Sequence, residues 1–146
     1  MRNIQCEIPE RKPPSKEIKA ILNNYETVAI VGLSPKPERD SHKVARYLKD
    51  RGYTIVPVNP GQKEILGEKS YPNLRAIPFV VEIVDIFRRS EAFLSIAADA
   101  VDIGAKVVWM QEGIVNEVAA DVAGAAGLTV VMDTCMRTTH RRLFQE

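Results

Sequence analysis

Gly32 and Ser34 close the apolar run 28–33 in a Gly-x-Ser step, and Arg39, Ser41, His42 and Lys43 follow shortly after. In this order these residue types suit one kind of chemistry: they hold anionic oxygen. A glycine lets backbone approach a ligand closely, a serine hydroxyl donates a hydrogen bond, and the start of a helix carries positive partial charge. The run itself is too short for a typical helix. The loop after it is polar and broken by Pro35 and Pro37, and a helical pattern opens near Ser41. Strand, loop and helix in that order predict a phosphate site. It is not a Walker A loop, because no Gly-Lys-Ser/Thr closes it. With Gly32 as its lone glycine, it does not match the dinucleotide fingerprint either.

Such a loop needs a sheet to position it, and the chain carries four more apolar runs, at 53–58, 79–87, 107–110 and 128–132. Helical patterns separate most of them. Ser15 is expected to cap a first helix with Ile18, Ile21, Leu22 and Tyr25 on one face. Val44, Tyr47 and Leu48 make a second helix that Gly52 ends, and Ser90 caps a third that Gly104 closes. Asn116 opens an Ala-rich fourth that Gly127 ends, and 138–144 forms a terminal helix. Between 61 and 78, glycines and prolines leave a loop with one helical turn near 73–76. Pro57 lies inside the second run, so its missing N–H must face an edge or the end of a ladder. The alternation predicts an α/β, Rossmann-like, doubly wound five-stranded parallel sheet with helices on both faces, in strand order 3-2-1-4-5. Residues 1–14 read as an extended arm and 15–146 as one domain.

The chain has 146 residues, 45% hydrophobic and 27% charged, with a formal net charge of +1. That balance gives no basic field for nucleic acid. No run approaches the ~20 apolar residues of a membrane span, and no secretory leader pattern opens the chain. Two cysteines, Cys6 and Cys135, make no disulfide framework, and a cytoplasmic location is expected.

In open parallel sheets ligands sit beyond the carboxyl ends of the strands. Here those ends carry Gly32-Leu33-Ser34, Asn59-Pro60, Phe87-Arg88, Gln111-Glu112-Gly113 and Asp133-Thr134-Cys135. An NAD site expects a carboxylate after the second strand, and none occurs until Glu64. A phosphate-rich nucleotide tolerates that absence better than a bare ribose does.

Taken together, Val31-Gly32-Leu33-Ser34, Val56-Pro57-Val58-Asn59-Pro60, Val84-Asp85-Ile86-Phe87-Arg88-Arg89 and Val108-Trp109-Met110-Gln111-Glu112-Gly113-Ile114 resemble the small, single-domain CoA-binding proteins. The same residues are similar to the N-terminal CoA-binding domain of the succinyl-CoA synthetase α subunit. The resemblance covers about residues 15–144. It implies that Gly32 and Ser34, with Leu33 between them, hold a coenzyme A phosphate through backbone and hydroxyl donors. Arg39, Ser41, His42 and Lys43 would line that pocket. Asn59 and Pro60 would border the adenosine, Phe87 and Arg88 would flank the pantetheine or pyrophosphate, and Gln111 would face the cleft. The phosphorylated histidine of that enzyme belongs to a further domain, and His140 does not match it. The resemblance therefore implies a carrier, sensor or ligand-binding module for coenzyme A or an acyl-CoA, without its own catalytic machinery. Two alternatives stand beside it: an NAD(P)-dependent oxidoreductase, and a subunit that completes an acyl-CoA ligase with a partner chain.

Metal binding finds no paired ligand spacing. Cys135 follows the last strand. It either packs as a partly buried side chain or, with Arg137 near, meets the cofactor thiol as a mixed disulfide. Glu82 and Asp85 are expected to mark the edge of burial or to bond backbone, and Trp109 is expected in the core.

Overall fold

The computed structural model of the chain describes residues 13–88 and 92–144. The arm expected at 1–14 lies mostly outside them, and so does the expected Ser90–Glu91 helix start. Five parallel strands form the main sheet: β1 (Thr27–Val31), β2 (Thr54–Val58), β5 (Ile83–Ile86), β6 (Val107–Met110) and β7 (Thr129–Val131). A two-stranded hairpin, β3 (Glu64–Ile65) and β4 (Glu68–Lys69), is separate from it. Among the described residues five helices accompany them: α1 (Ser15–Asn24), α2 (Asp40–Asp50), α3 (Ala92–Asp102), α4 (Glu117–Ala125) and α5 (Met136–Phe144). The expected turn near 73–76 is a single 3-10 turn, Leu74–Ala76.

Side chains alternate across each strand, so each face of the sheet has its own core. Val28, Ile30, Ile83, Trp109 and Val131 face α1, α2 and α5, where Ile21, Val44, Leu48 and Met136 cover them. Ala29, Val84, Ile86 and Val108 face α3 and α4, which meet them with Phe93, Ala97, Ala119 and Ala123. The alanines let these two helices lie close to the sheet.

The strand order differs from the expected 3-2-1-4-5. Counting only the sheet's own strands it is 2-1-3-4-5, with β5 beside β1. The reason lies at the far edge of β2, the place a third strand would take. Tyr71 donates its N–H to the Pro57 carbonyl, and its own carbonyl accepts from Asn59, so the loop after β4 occupies that edge. Both polar groups of a strand residue point to one side, so the N–H that Pro57 lacks also falls on this edge.

Three local expectations shift. Ser15 is the first residue of α1 rather than its cap. Pro14 occupies the N-cap with no side-chain hydrogen bond, its fixed φ leading into the helix. The third strand starts at Ile83, leaving Phe79 and Val80 exposed, because the chain reaches the sheet only at Val81. Asp85 is fully buried on β5, and neither carboxylate oxygen has a hydrogen-bond partner among the described residues. Glu82 behaves as expected, its Oε1 accepting from the N–H groups of Glu26 and Thr27 at 2.8 and 3.2 Å. Trp109 is fully buried, its indole N–H donating to the Thr134 carbonyl at 2.8 Å.

Candidate functional site

The loops after β1 and β5 leave the sheet toward opposite faces, which opens a gap at their carboxyl ends. A cleft of about 550 Å³ occupies this place. Gly32 and Ser34 line it from the β1 loop, Arg39 and Ser41 from the start of α2, Phe87 and Gln111 from the ends of β5 and β6. Cys135, Arg137 and Thr138 close it from the start of α5.

Gly32 turns with φ +88°, a conformation glycine adopts without strain. Its N–H donates to the Val58 carbonyl at 3.0 Å, extending the β1–β2 ladder. A Cβ there would stand 3.0 Å from Cγ and Cδ of Arg88, whose side chain lies across the turn. Ser34 is clasped to α2 from both sides. Its N–H donates to Ser41 Oγ at 3.0 Å, and its carbonyl accepts from Nδ1 of the buried His42 at 2.9 Å. Its hydroxyl oxygen accepts from the Lys36 N–H at 3.1 Å, which leaves the hydroxyl proton to donate.

The amides of Gly32 and Ser34 are thus engaged within the protein. Other donors around the cleft include the Ser34 hydroxyl, the exposed Arg39 guanidinium, Arg137, and the N–H groups of Asp40 and Ser41 that open α2. Those two amides precede the first bonds of the helix, in which His42 and Lys43 donate to the Arg39 carbonyl, and Arg39 at the N-cap makes no side-chain cap. Together they offer the kind of donors that suit anionic oxygen.

The remaining expected residues divide by location. Leu33 is fully buried, and its carbonyl accepts from Asn59 Nδ2 at 2.9 Å while Asn59 Oδ1 takes the Gly61 N–H at 2.8 Å. Leu33, His42 and Asn59 therefore brace the loop from behind. Lys43 is exposed on α2 and does not line the cleft. Pro60 and Arg88 line a smaller cleft of about 170 Å³ below α3. Gln111 is buried, its Oε1 accepting from the Met136 N–H at 3.1 Å, so it joins β6 to α5.

Arg137 and Thr138 had escaped the expected site because the terminal helix begins at Met136, two residues earlier than its apolar pattern suggested. Asp40, Glu112, Val44 and Ile114 complete the lining, and each lies within three residues of an expected position. Beneath the cleft, burial raises the pKa of Asp85 well above the carboxylate range, and Cys135 adds to the shift. His140 is remote. It lines a separate cleft with Tyr25, Tyr53 and Phe144 at the amino edge of the sheet, where burial, then Arg51, lowers its pKa.

Fold and cleft define an open parallel α/β domain with a donor-lined crevice at its switch point. The model of a CoA binding domain matches residues 26–141, and the chain belongs to this CoA-binding domain family. It is 42% identical over 130 residues to the uncharacterized protein YneT of Bacillus subtilis, spanning 89% of this chain and 96% of that one. The solved structure of a hypothetical protein from Pyrococcus horikoshii OT3 matches with a TM-score of 0.89 at 40% identity, covering 98% and 96% of the two chains. An ADP-forming acetate–CoA ligase of Archaeoglobus fulgidus is 33% identical over 61 residues, 42% of this chain and 9% of that one. The family is thus related to the CoA-binding part of acyl-CoA ligases.

Proposed function

We propose that this chain binds coenzyme A or an acyl-CoA in the cleft, as a carrier, sensor or ligand-binding module without catalytic machinery of its own. The observation that carries this is the uncapped start of α2, facing the cleft with Arg39 and the Ser34 hydroxyl in a member of the CoA-binding domain family. A diphosphate gains there from the helix dipole and from charge-assisted hydrogen bonds. Phe87 and Ile114 offer apolar contact for the pantetheine arm, and Pro60 and Arg88 lie one face away for the adenosine.

A nicotinamide nucleotide fits less well. The residue after β2 is Asn59, and its amide is committed to Leu33 and Gly61 instead of to ribose hydroxyls. The ligase-partner reading draws on the Archaeoglobus relative, in which the matched stretch is a small part of a long chain. Co-purification of a catalytic chain would favour it.

Calorimetry with coenzyme A, acetyl-CoA, NADH and NADPH tests the assignment. Coenzyme A is expected to bind most tightly. Arg39→Glu should weaken it about 10-fold or more, and Ser34→Ala by a smaller factor, since one loses a charge-assisted contact and the other a neutral one. Tighter binding of a nicotinamide nucleotide, or unchanged affinity in both variants, overturns the proposal.

A further inference from the structure

Arg137 stands in the first turn of α5 and lines the cleft beside Cys135 and Thr138. Its Nε is shut off from water and has no hydrogen-bond partner among the described residues. Ion pairs among the described residues join Lys49 to Glu68 and Arg75 to Asp99 and Asp102, and none of them reaches Arg137. A guanidinium stays charged, so a part-buried one without a counter-ion is costly to keep. An anion arriving from outside would offset that cost. Thr138 brings further donors. It carries a hydroxyl, and its N–H lies between those of Met136, which donates to Gln111, and Thr139, which donates to the Cys135 carbonyl.

The strand order says which part of a ligand meets this group. Along the carboxyl edge of the sheet the order is β2, β1, β5, β6, so Pro60, Ser34, Phe87 and Gln111 follow one another there. Gln111 accepts the Met136 N–H, which fixes the start of α5 at the β6 end. That end is two strands from β1, or about 10 Å at the usual strand spacing. A cofactor with its diphosphate at β1 and its adenosine toward β2 sends its arm the other way, past Phe87. The group carried on its sulfur then ends beside Arg137. Asp40 and Glu112 line the same cleft and balance the charges of Arg39 and Arg137. The cleft as a whole therefore has no strong field for anions, and a ligand gains only where it touches a guanidinium directly.

We propose that Arg137 reads the acyl end of the ligand, and that the cleft selects acyl-CoA thioesters whose acyl group ends in a carboxylate. This rests on the coenzyme A assignment above. The planar fork of the guanidinium matches a carboxylate with two parallel hydrogen bonds, and the Thr138 hydroxyl can donate a third. A methyl-ended acyl group of the same length offers Arg137 nothing and leaves its charge unpaired.

Calorimetry on the full-length protein tests this with length-matched pairs: malonyl-, succinyl- and glutaryl-CoA against propanoyl-, butanoyl- and pentanoyl-CoA, with coenzyme A itself as the reference. In at least one pair the carboxylate ligand is expected to bind about 10-fold more tightly or better. Arg137→Met should bring that ratio to about one while leaving the affinity for coenzyme A unchanged. Arg137→Lys should retain part of the preference, since a lysine keeps the charge without the fork. Equal affinities in all three pairs of the wild type overturn the proposal, and that result needs no variant to fold. A ratio that survives in Arg137→Met overturns it too. So does an equal loss of affinity for coenzyme A and every thioester in that variant, which would give Arg137 to the diphosphate. If coenzyme A binds and no pair differs, the acyl-end reading fails alone. If coenzyme A does not bind at all, the cleft assignment fails with it.

Discussion

Gly32 turns the chain from β1 along the cleft at φ +88°. An alanine there would keep φ near +88°, which costs about 1–2 kcal/mol for a residue with a Cβ, and its methyl would displace Arg88. Gly32→Ala is therefore expected to lower stability by that amount in urea titration, and coenzyme A affinity should fall further than stability does. His140 supplies a pH test. Its folded pKa is below the ordinary value, so the unfolded chain binds the proton more readily. Stability that depends on neutral His140 should be intact above about pH 6.5 and decline as the pH falls below it, a slope missing in His140→Phe. At this scale the sequence exposed the chemistry but not its wiring. Residue types alone picked out the turn at Gly32–Ser34. They could not reveal that Ser41 and His42 brace that turn, because those bonds exist only once α2 has docked.

The elements themselves were legible wherever a local signal exists. Asn116 caps α4 as expected, its Oδ1 accepting from the Ala119 N–H at 2.9 Å. Asn116→Ala should cost about 1 kcal/mol, visible as a lower urea midpoint with an unchanged m-value. Apolar runs located the five strands of the sheet. Their order was hidden, because it depends on Tyr71 occupying the edge of β2 through two backbone bonds that no side-chain pattern announces. The start of α5 was hidden for a related reason. Met136 is buried against the sheet core while Arg137 faces the cleft, so the first turn does not repeat the apolar spacing of the rest.

For the molecule as a whole, Asp85 is a standing liability in the middle of the sheet. Its folded pKa is raised by burial and then by Cys135, so the folded state holds its proton more tightly than the unfolded chain does. Its contribution to stability is complete below pH 3.8 and is lost as the pH rises toward the folded value. Asp85→Leu should accordingly gain on the wild type in urea titrations as the pH is raised from about 4 to about 7. Ligand occupancy acts in the opposite sense. At 100 times its Kd, coenzyme A should stabilise the fold by about 2.7 kcal/mol, read as a rise in Tm that a 10-fold weakening in Arg39→Glu cuts to about half at the same concentration. One last property follows from the chain around Tyr71. That strip covers the carboxyl end of the β2 edge, at Pro57 and Asn59, while β7 at the other rim is bonded to β6 alone among the described residues. A neighbouring strand could lie along the full length of the second border but would collide with the strip on the first, which disfavours stacking of copies through both borders at once.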